Sequence, residues 1–342
     1  MVQEPYKAMS ICADKPIRSM NPATPPVNSE PHMKHLRNTA FALLIALIGT
    51  AAHGQQEVMV SQYMFNGLFL NPAYAGSHGY LSTSMLHRAQ WLQVEGAPRT
   101  SMIALDAPVM NNKMGLGFTL VHDQIGVSRD LDMAGHYAYH LKLNETSRLS
   151  FGLRAGMSVY SAQLTDLLYW DQTDQVFQND ITNQIVGKFG FGMYWYDRTA
   201  FVGLSVPTIY AADGRITTDV GDALQHHFTQ HFYLHAGKVF PLNEVFDIKP
   251  SVLVKYMPNA PVQADVNCNL LYKERIWFGA GYRTGDAMVA MVEYQVTPQM
   301  RIGYAYDMST SRLRTYTSGS HEIMLGMDFG RDLVKIKTPR YF

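Results

Sequence analysis

From residue 79 to residue 329 the chain is written in segments of about ten residues in which apolar side chains alternate with small or charged ones. Successive side chains of an extended strand point to opposite faces, so a period of two gives each segment one apolar and one polar face. The clearest case is 148–163. Leu149, Phe151, Leu153, Met157 and Val159 share one face, and Ser150, Gly152, Arg154, Gly156 and Ser158 the other. The same dyad recurs in 276–283, 300–307 and 321–329. A soluble sandwich would turn those apolar faces into a core. Segments this long, with glycine opposite the apolar face, fit instead a barrel whose apolar side meets lipid and whose small residues face the lumen.

The segments are 79–90, 99–109, 114–123, 130–143, 148–163, 184–196, 199–206, 228–240, 246–257, 262–271, 276–283, 287–295, 300–307 and 321–329. The count is roughly 14, and an even number is what bacterial outer-membrane barrels require. Connections after even-numbered segments are short and polar, such as Met110-Asn111-Asn112 and Asn144-Glu145-Thr146. Those at 164–183, 207–227 and 308–320, all after odd-numbered segments, are long. Short turns at one end and long loops at the other are barrel topology, with the turns on the periplasmic side. The predicted fold is therefore all-β, a transmembrane antiparallel β-barrel of roughly 14 strands. Tyr80, Trp91, Tyr194, Trp195, Phe240 and Tyr256, near segment ends, are expected to form the aromatic girdles at the membrane surfaces.

Composition agrees with export to a membrane and argues against other classes. Charged residues make up 16% of the chain and the formal net charge is +0, which leaves no basic surface to neutralise nucleic-acid phosphates. Residues 33–54 read as a cleavable signal peptide: a basic start at Lys34 and Arg37, an apolar run from Ala40 to Ile48, and small residues at Ala52 and Gly54. Residues 1–32 read as a non-native upstream extension, with Met33 the true start. Loss of Cys12 with that extension leaves Cys268 without a disulfide partner. Residues 55–78 form an N-terminal plug-like segment, 79–329 the barrel, and 330–342 a short basic periplasmic tail. The expected location is the outer membrane of a Gram-negative bacterium.

The stretch 61–77 is too often interrupted by Asn, Pro and Gly for a regular helix or strand, yet too apolar for a solvated linker. Its apolar groups need a surface to bury against. The lumen of a barrel this wide is not filled by its own side chains, and a plug is the expected role. Gln62, Tyr63, Phe65, Asn66, Asn71, Pro72, Tyr74 and Gly76 are the candidate plug residues. Asn66 and Asn71 are expected to satisfy backbone groups, Pro72 to hold Asn71 extended, and Gly76 to permit the turn into the first strand. Docking of the segment on a partner instead of the lumen is the alternative. Charges on the predicted lumen face are Arg88, Arg154, Lys255, Arg283 and Arg301 with Asp307 and Glu322, joined by Lys249, Glu293 and Asp328; they can line water or clamp a plug.

No catalytic, metal or cofactor site is expected. His227, His231 and His235 have helical ligand spacing, but on a strand residues four apart lie ~13 Å from one another, too far to share an ion. Gly203-Leu204-Ser205-Val206-Pro207 lacks the closing glycine of a nucleophile elbow, and Gly115-Leu116-Gly117 lacks the lysine of a phosphate loop.

A series of short motifs carries a family resemblance. Ser61-Gln62-Tyr63-Met64-Phe65-Asn66 and Asn71-Pro72-Ala73-Tyr74-Ala75-Gly76-Ser77 are followed by Arg88-Ala89-Gln90-Trp91, Gly96-Ala97-Pro98-Arg99 and Phe201-Val202-Gly203-Leu204-Ser205. Lys255-Tyr256, Gly281-Tyr282-Arg283, the run from Arg301 to Asp307 and Gly319-Ser320-His321-Glu322-Ile323 complete the series. In this order the chain resembles the PorP/SprF family of type IX secretion outer-membrane proteins, nearly from end to end of the mature sequence. The resemblance implies a non-enzymatic barrel serving protein secretion and, in gliding motility, export or surface anchoring of adhesins. It also implies as partners a secreted cargo or adhesin at the cell surface, periplasmic and outer-membrane components of the machinery, and the lipid bilayer. Trp91, Pro98 and Arg99 become a motif at the barrel rim. A general diffusion channel for small solutes is the other function class open to such a barrel.

Overall fold

The computed structural model describes residues 58–166, 179–211, 230–258 and 260–330. The chain divides into two units, Met1–Gly49 and Thr50–Phe342, and every described residue belongs to the second. The predicted signal peptide, the extension expected ahead of it and the predicted tail beyond Gly330 lie outside the described residues.

Strands β1 (Leu81–Ala89), β2 (Arg99–Val109), β3 (Met114–Ile125), β4 (Ser128–Lys142), β5 (Arg148–Ala162), β6 (Ile181–Tyr196) and β7 (Ala200–Ala211) form the first half of one sheet. The second half is β8 (Phe232–Lys238, continued by Phe240–Pro241), β9 (Phe246–Tyr256), β10 (Gln263–Tyr272), β11 (Ile276–Arg283), β12 (Ala287–Gln295), β13 (Met300–Ser309) and β14 (Ser320–Phe329). Each strand pairs antiparallel with its sequence neighbours, and β1 pairs with β14 from Leu81↔Phe329 to Ala89↔His321. The sheet is therefore a closed barrel of 14 strands without a free edge. Closure is what hydrocarbon demands, since an unpaired edge would leave backbone N–H and C=O groups with no partner in lipid.

The alternation read from the sequence sets the two faces. Leu153, Leu204, Phe278 and Ile302 are exposed on the outside, whereas Ser150, Ser158, Asn269 and Asp328 are buried on the inside. The free Cys268 is on the outer face. Three of the short turns share one device, an Asx turn in which a side-chain oxygen takes the backbone N–H groups two and three residues on. Asn144 holds Thr146 and Ser147 at 2.9 and 2.7 Å, Asp197 holds Thr199 and Ala200 at 2.6 and 2.7 Å, and Asn243 holds Val245 and Phe246 at 2.9 Å each.

Several boundaries depart from the sequence reading. The β3–β4 connection is only Gly126-Val127, with Gly126 at φ 57°, because Gln124, Ile125, Ser128 and Arg129 extend the two strands and pair across the hairpin. β7 runs on to Ala211 and β8 begins at Phe232. Tyr194 is not a girdle residue: at 1% exposure it points into the lumen, because its position in β6 has inward parity while Trp195 beside it has outward parity. Tyr256 and Phe240 are exposed on the outer face, as girdle residues would be.

Candidate functional site

Residues 60–75 run through the lumen and are buried there almost without interruption. Three single 3₁₀ turns, Tyr63–Phe65, Gly67–Phe69 and Pro72–Tyr74, carry the path. Asn66 and Asn71 separate them. Each stands in extended conformation, at φ −150° and −144°, and its side-chain oxygen accepts a backbone N–H of the next turn, from Leu68 at 3.1 Å and Ala73 at 2.9 Å. A continuous helix is thus broken twice by residues that cap their own successors.

At the end where the long connections emerge, the segment is held by charge. The Glu322 carboxylate accepts the Ser61 and Gln62 backbone N–H groups at 2.8 Å each, and Arg88 donates to Glu322 at 3.1 Å and to Asp307 at 2.7 Å. Ser61 Oγ lies among these groups, receiving bonds from Arg88 at 3.0 Å and Arg283 at 3.1 Å and donating to Asp307 at 2.7 Å. Arg283 continues to Asp265 at 3.2 Å, which Lys255 reaches at 3.5 Å. Deeper in the lumen Arg301 donates to the Phe65 carbonyl at 3.3 Å, and the Lys249 ammonium lies 5.2 Å from the Phe65 ring and 5.0 Å from that of Trp277. Buried charges need partners of opposite sign with hydrogen bonds to both, and here backbone groups of the segment supply part of that satisfaction. The Tyr63 hydroxyl accepts a bond from the Asn267 amide at 2.8 Å.

At the turn end the segment is held by fit. Asn71, fully buried, donates to the carbonyls of Met193 at 2.8 Å and Leu204 at 3.3 Å, and the Gly76 N–H donates to Asp106 at 2.7 Å. Lumen-facing glycines make room for the backbone here. A Cβ on Gly115 would stand 1.9 Å from the Ala75 carbonyl oxygen, and one on Gly152 would stand 2.1 Å from the Ala73 nitrogen. Tyr74 packs on Tyr194 with ring centroids 5.5 Å apart, and Tyr194 in turn stacks on His235 at 5.6 Å. Gly76 adopts φ 72°, a left-handed conformation open to glycine at little cost.

All of the lumen charges named from the sequence face inward, though not all touch the segment. Arg154 pairs instead with Asp132, which Lys188 also reaches at 2.9 Å. These residues border a cavity of about 440 Å³ beside the first residues of the segment, walled on its other side by Val58, Val60, Phe69 and Leu70. Of the rim motif, Trp91 donates its N–H to Ser320 Oγ at 3.1 Å and the Pro98 carbonyl accepts from Gln90 at 2.9 Å; Arg99 opens β2 with its side chain exposed. His231 lines the cavity and His235 is buried against aromatic rings, while His227 lies outside the described residues. The amides of Asn66 and Asn71 are met by the Ser84 hydroxyl and by the carbonyls of Met193 and Leu204. Ser61, Asp106, Asp132, Lys188 and Asp265 are contact residues that the sequence reading did not single out. Strand parity was the available signal for the four that lie in strands.

A family model described as the type IX secretion system membrane protein PorP/SprF matches residues 52–327. The chain belongs to the PorP/SprF family. The lumenal segment and the whole barrel apart from the last strand residues fall inside that match, so the arrangement described above is that of a PorP/SprF barrel in the outer membrane. Family and fold are those of a secretion membrane barrel and not of a known enzyme class. No curated protein matches the chain. Among solved structures, the Acinetobacter baumannii outer membrane protein Omp33 aligns at 9% identity over 73% of this chain and 98% of its own, with a TM-score of 0.41. A mutant of the monoaromatic hydrocarbon channel TodX aligns at 11% identity over 82% and 97%, and the monoaromatic hydrocarbon channel CymD at 12% over 82% and 97%, each with a TM-score of 0.45.

Proposed function

We propose that this PorP/SprF barrel serves the export or surface anchoring of secreted proteins or gliding adhesins and is not a diffusion channel. One observation carries the reading: the lumen is occupied by the chain's own residues 60–75, tied by charge at one end and seated on glycines at the other. A pore for solutes needs a continuous aqueous path, and a segment buried along the lumen obstructs it. The segment is then a plug. With the short turns in the periplasm, the long connections after β5 and β7 are the surface for an exported partner, and the turns with the tail beyond Gly330 face the periplasmic machinery.

The test is a deletion strain complemented with the intact barrel or with one whose connection between Ala211 and Gln230 is shortened. The intact barrel should restore surface display of the cargo, and the shortened one should assemble without restoring it. Normal display in the deletion strain, together with lost uptake of a small solute, would assign the barrel to the channel class instead.

A further inference from the structure

The direction of the lumenal segment fixes the barrel end at which its first described residues lie. Ser61 and Gln62 bind Glu322, near the start of β14, and Ser61 also binds Arg88, near the end of β1; both sites belong to the barrel end that carries the long connections. Val58 and Val60 border the cavity together with Ser128 at the start of β4, at that same end. Fifteen residues later the chain is at the opposite end. Gly76 binds Asp106, near the end of β2, and a Cβ on Gly79 would lie 3.7 Å from the Asn112 side chain in the β2–β3 turn. The segment therefore runs antiparallel to β1, entering from the mouth of the long connections and leaving at the turns.

A return path for the preceding chain toward the turns is blocked. It would have to pass beside Leu68, Asn71, Ala73 and Ala75, which are 1%, 0%, 0% and 0% exposed and interlocked with lumen glycines. The cavity of about 440 Å³ lies beside the first residues of the segment and reaches Phe69 and Leu70, short of the buried Asn71. We propose that the chain ahead of Val58 leaves through the mouth of the long connections and that the N-terminus left by signal cleavage is displayed on the cell surface. This rests on the reading above that the long connections face outward. The free end of the lumenal segment is then placed to meet whatever approaches the outer mouth.

An epitope inserted between Glu57 and Val58 tests the proposal, beside the same epitope at Tyr316 in the β13–β14 connection and at Glu145 in the β4–β5 turn. Antibody should bind intact cells carrying the first two and bind the third only after permeabilisation. An N-terminal epitope that behaves like Glu145, with Tyr316 detected outside, would overturn the proposed path while leaving the outward reading of the connections in place. Detection of Glu145 alone on intact cells would mean that the barrel is inverted, which overturns both. Should the insertion prevent assembly, Val58→Cys in a Cys268→Ser chain asks the same question with a membrane-impermeant maleimide. Labelling equal to Tyr316→Cys supports the proposal, and labelling at the level of Glu145→Cys before permeabilisation contradicts it.

Discussion

Glu322 holds Ser61 by its backbone: the carboxylate of β14 accepts the Ser61 N–H and, with its other oxygen, the Gln62 N–H, both at 2.8 Å, and is fully buried while doing so. A carboxylate taking two backbone N–H groups and an arginine is satisfied as an ion and at the same time fixes the register of the chain beside it. Glu322→Gln keeps the shape, removes the charge opposite Arg88, and turns an acceptor toward a donor. Breaking a buried pair in this way costs about 3–5 kcal/mol. The expected result is a barrel that still shifts on heating in a gel but whose residues 58–66 become sensitive to protease. Unchanged protection would show that the carboxylate is not the latch.

The turn-side half of the segment depends on absent side chains, so adding one is the direct probe. Gly152→Ala places a methyl 2.1 Å from the Ala73 nitrogen, where only a backbone shift can relieve it. Overpacking of this kind costs about 1–3 kcal/mol. Gly135→Ala on the outward face of β4, where the nearest atom is 3.9 Å away, should be close to neutral. Denaturant midpoints of the two variants check the difference, and equal effects would mean that the glycines are not a seat for the segment.

On the lipid face, position along the strand should grade the cost of a charge. Leu153 is 58% exposed near the middle of β5, and Leu153→Arg is expected to weaken folding into bilayers by ~2–4 kcal/mol. Ile302 is 42% exposed but only two residues from the turn end of β13, and Ile302→Arg should cost roughly 0–1 kcal/mol. Equilibrium folding into vesicles measures both. A larger loss at Ile302 would misplace the membrane midplane.

Much of the barrel was legible because its physics has a short period. Alternation gave 14 segments and their inward and outward faces, and the turn residues marked the connections; the structure has 14 strands with those faces. What escaped came from reading polarity as a loop signal. Gln124, Ser128 and Arg129, left between the segments 114–123 and 130–143, are strand residues paired across the hairpin at Gly126-Val127. Tyr194 was misread for a related reason: an aromatic near a strand end suggests a membrane girdle, but inward parity makes it the floor under Tyr74. The two asparagines of the segment could be recognised as caps, whereas their other partners, Ser84 and the carbonyls of β6 and β7, follow only from tertiary placement.

Conductance of the purified barrel in a planar lipid bilayer tests the central claim most directly. The intact chain should show no large steady conductance. Phe65→Asp with Leu70→Asp, which places carboxylates on the Trp277 side of the segment and on the cavity wall, should open a conducting path in a barrel that remains heat-modifiable. Large conductance from the intact chain, unchanged by the double substitution, would contradict the claim that residues 58–78 close the lumen.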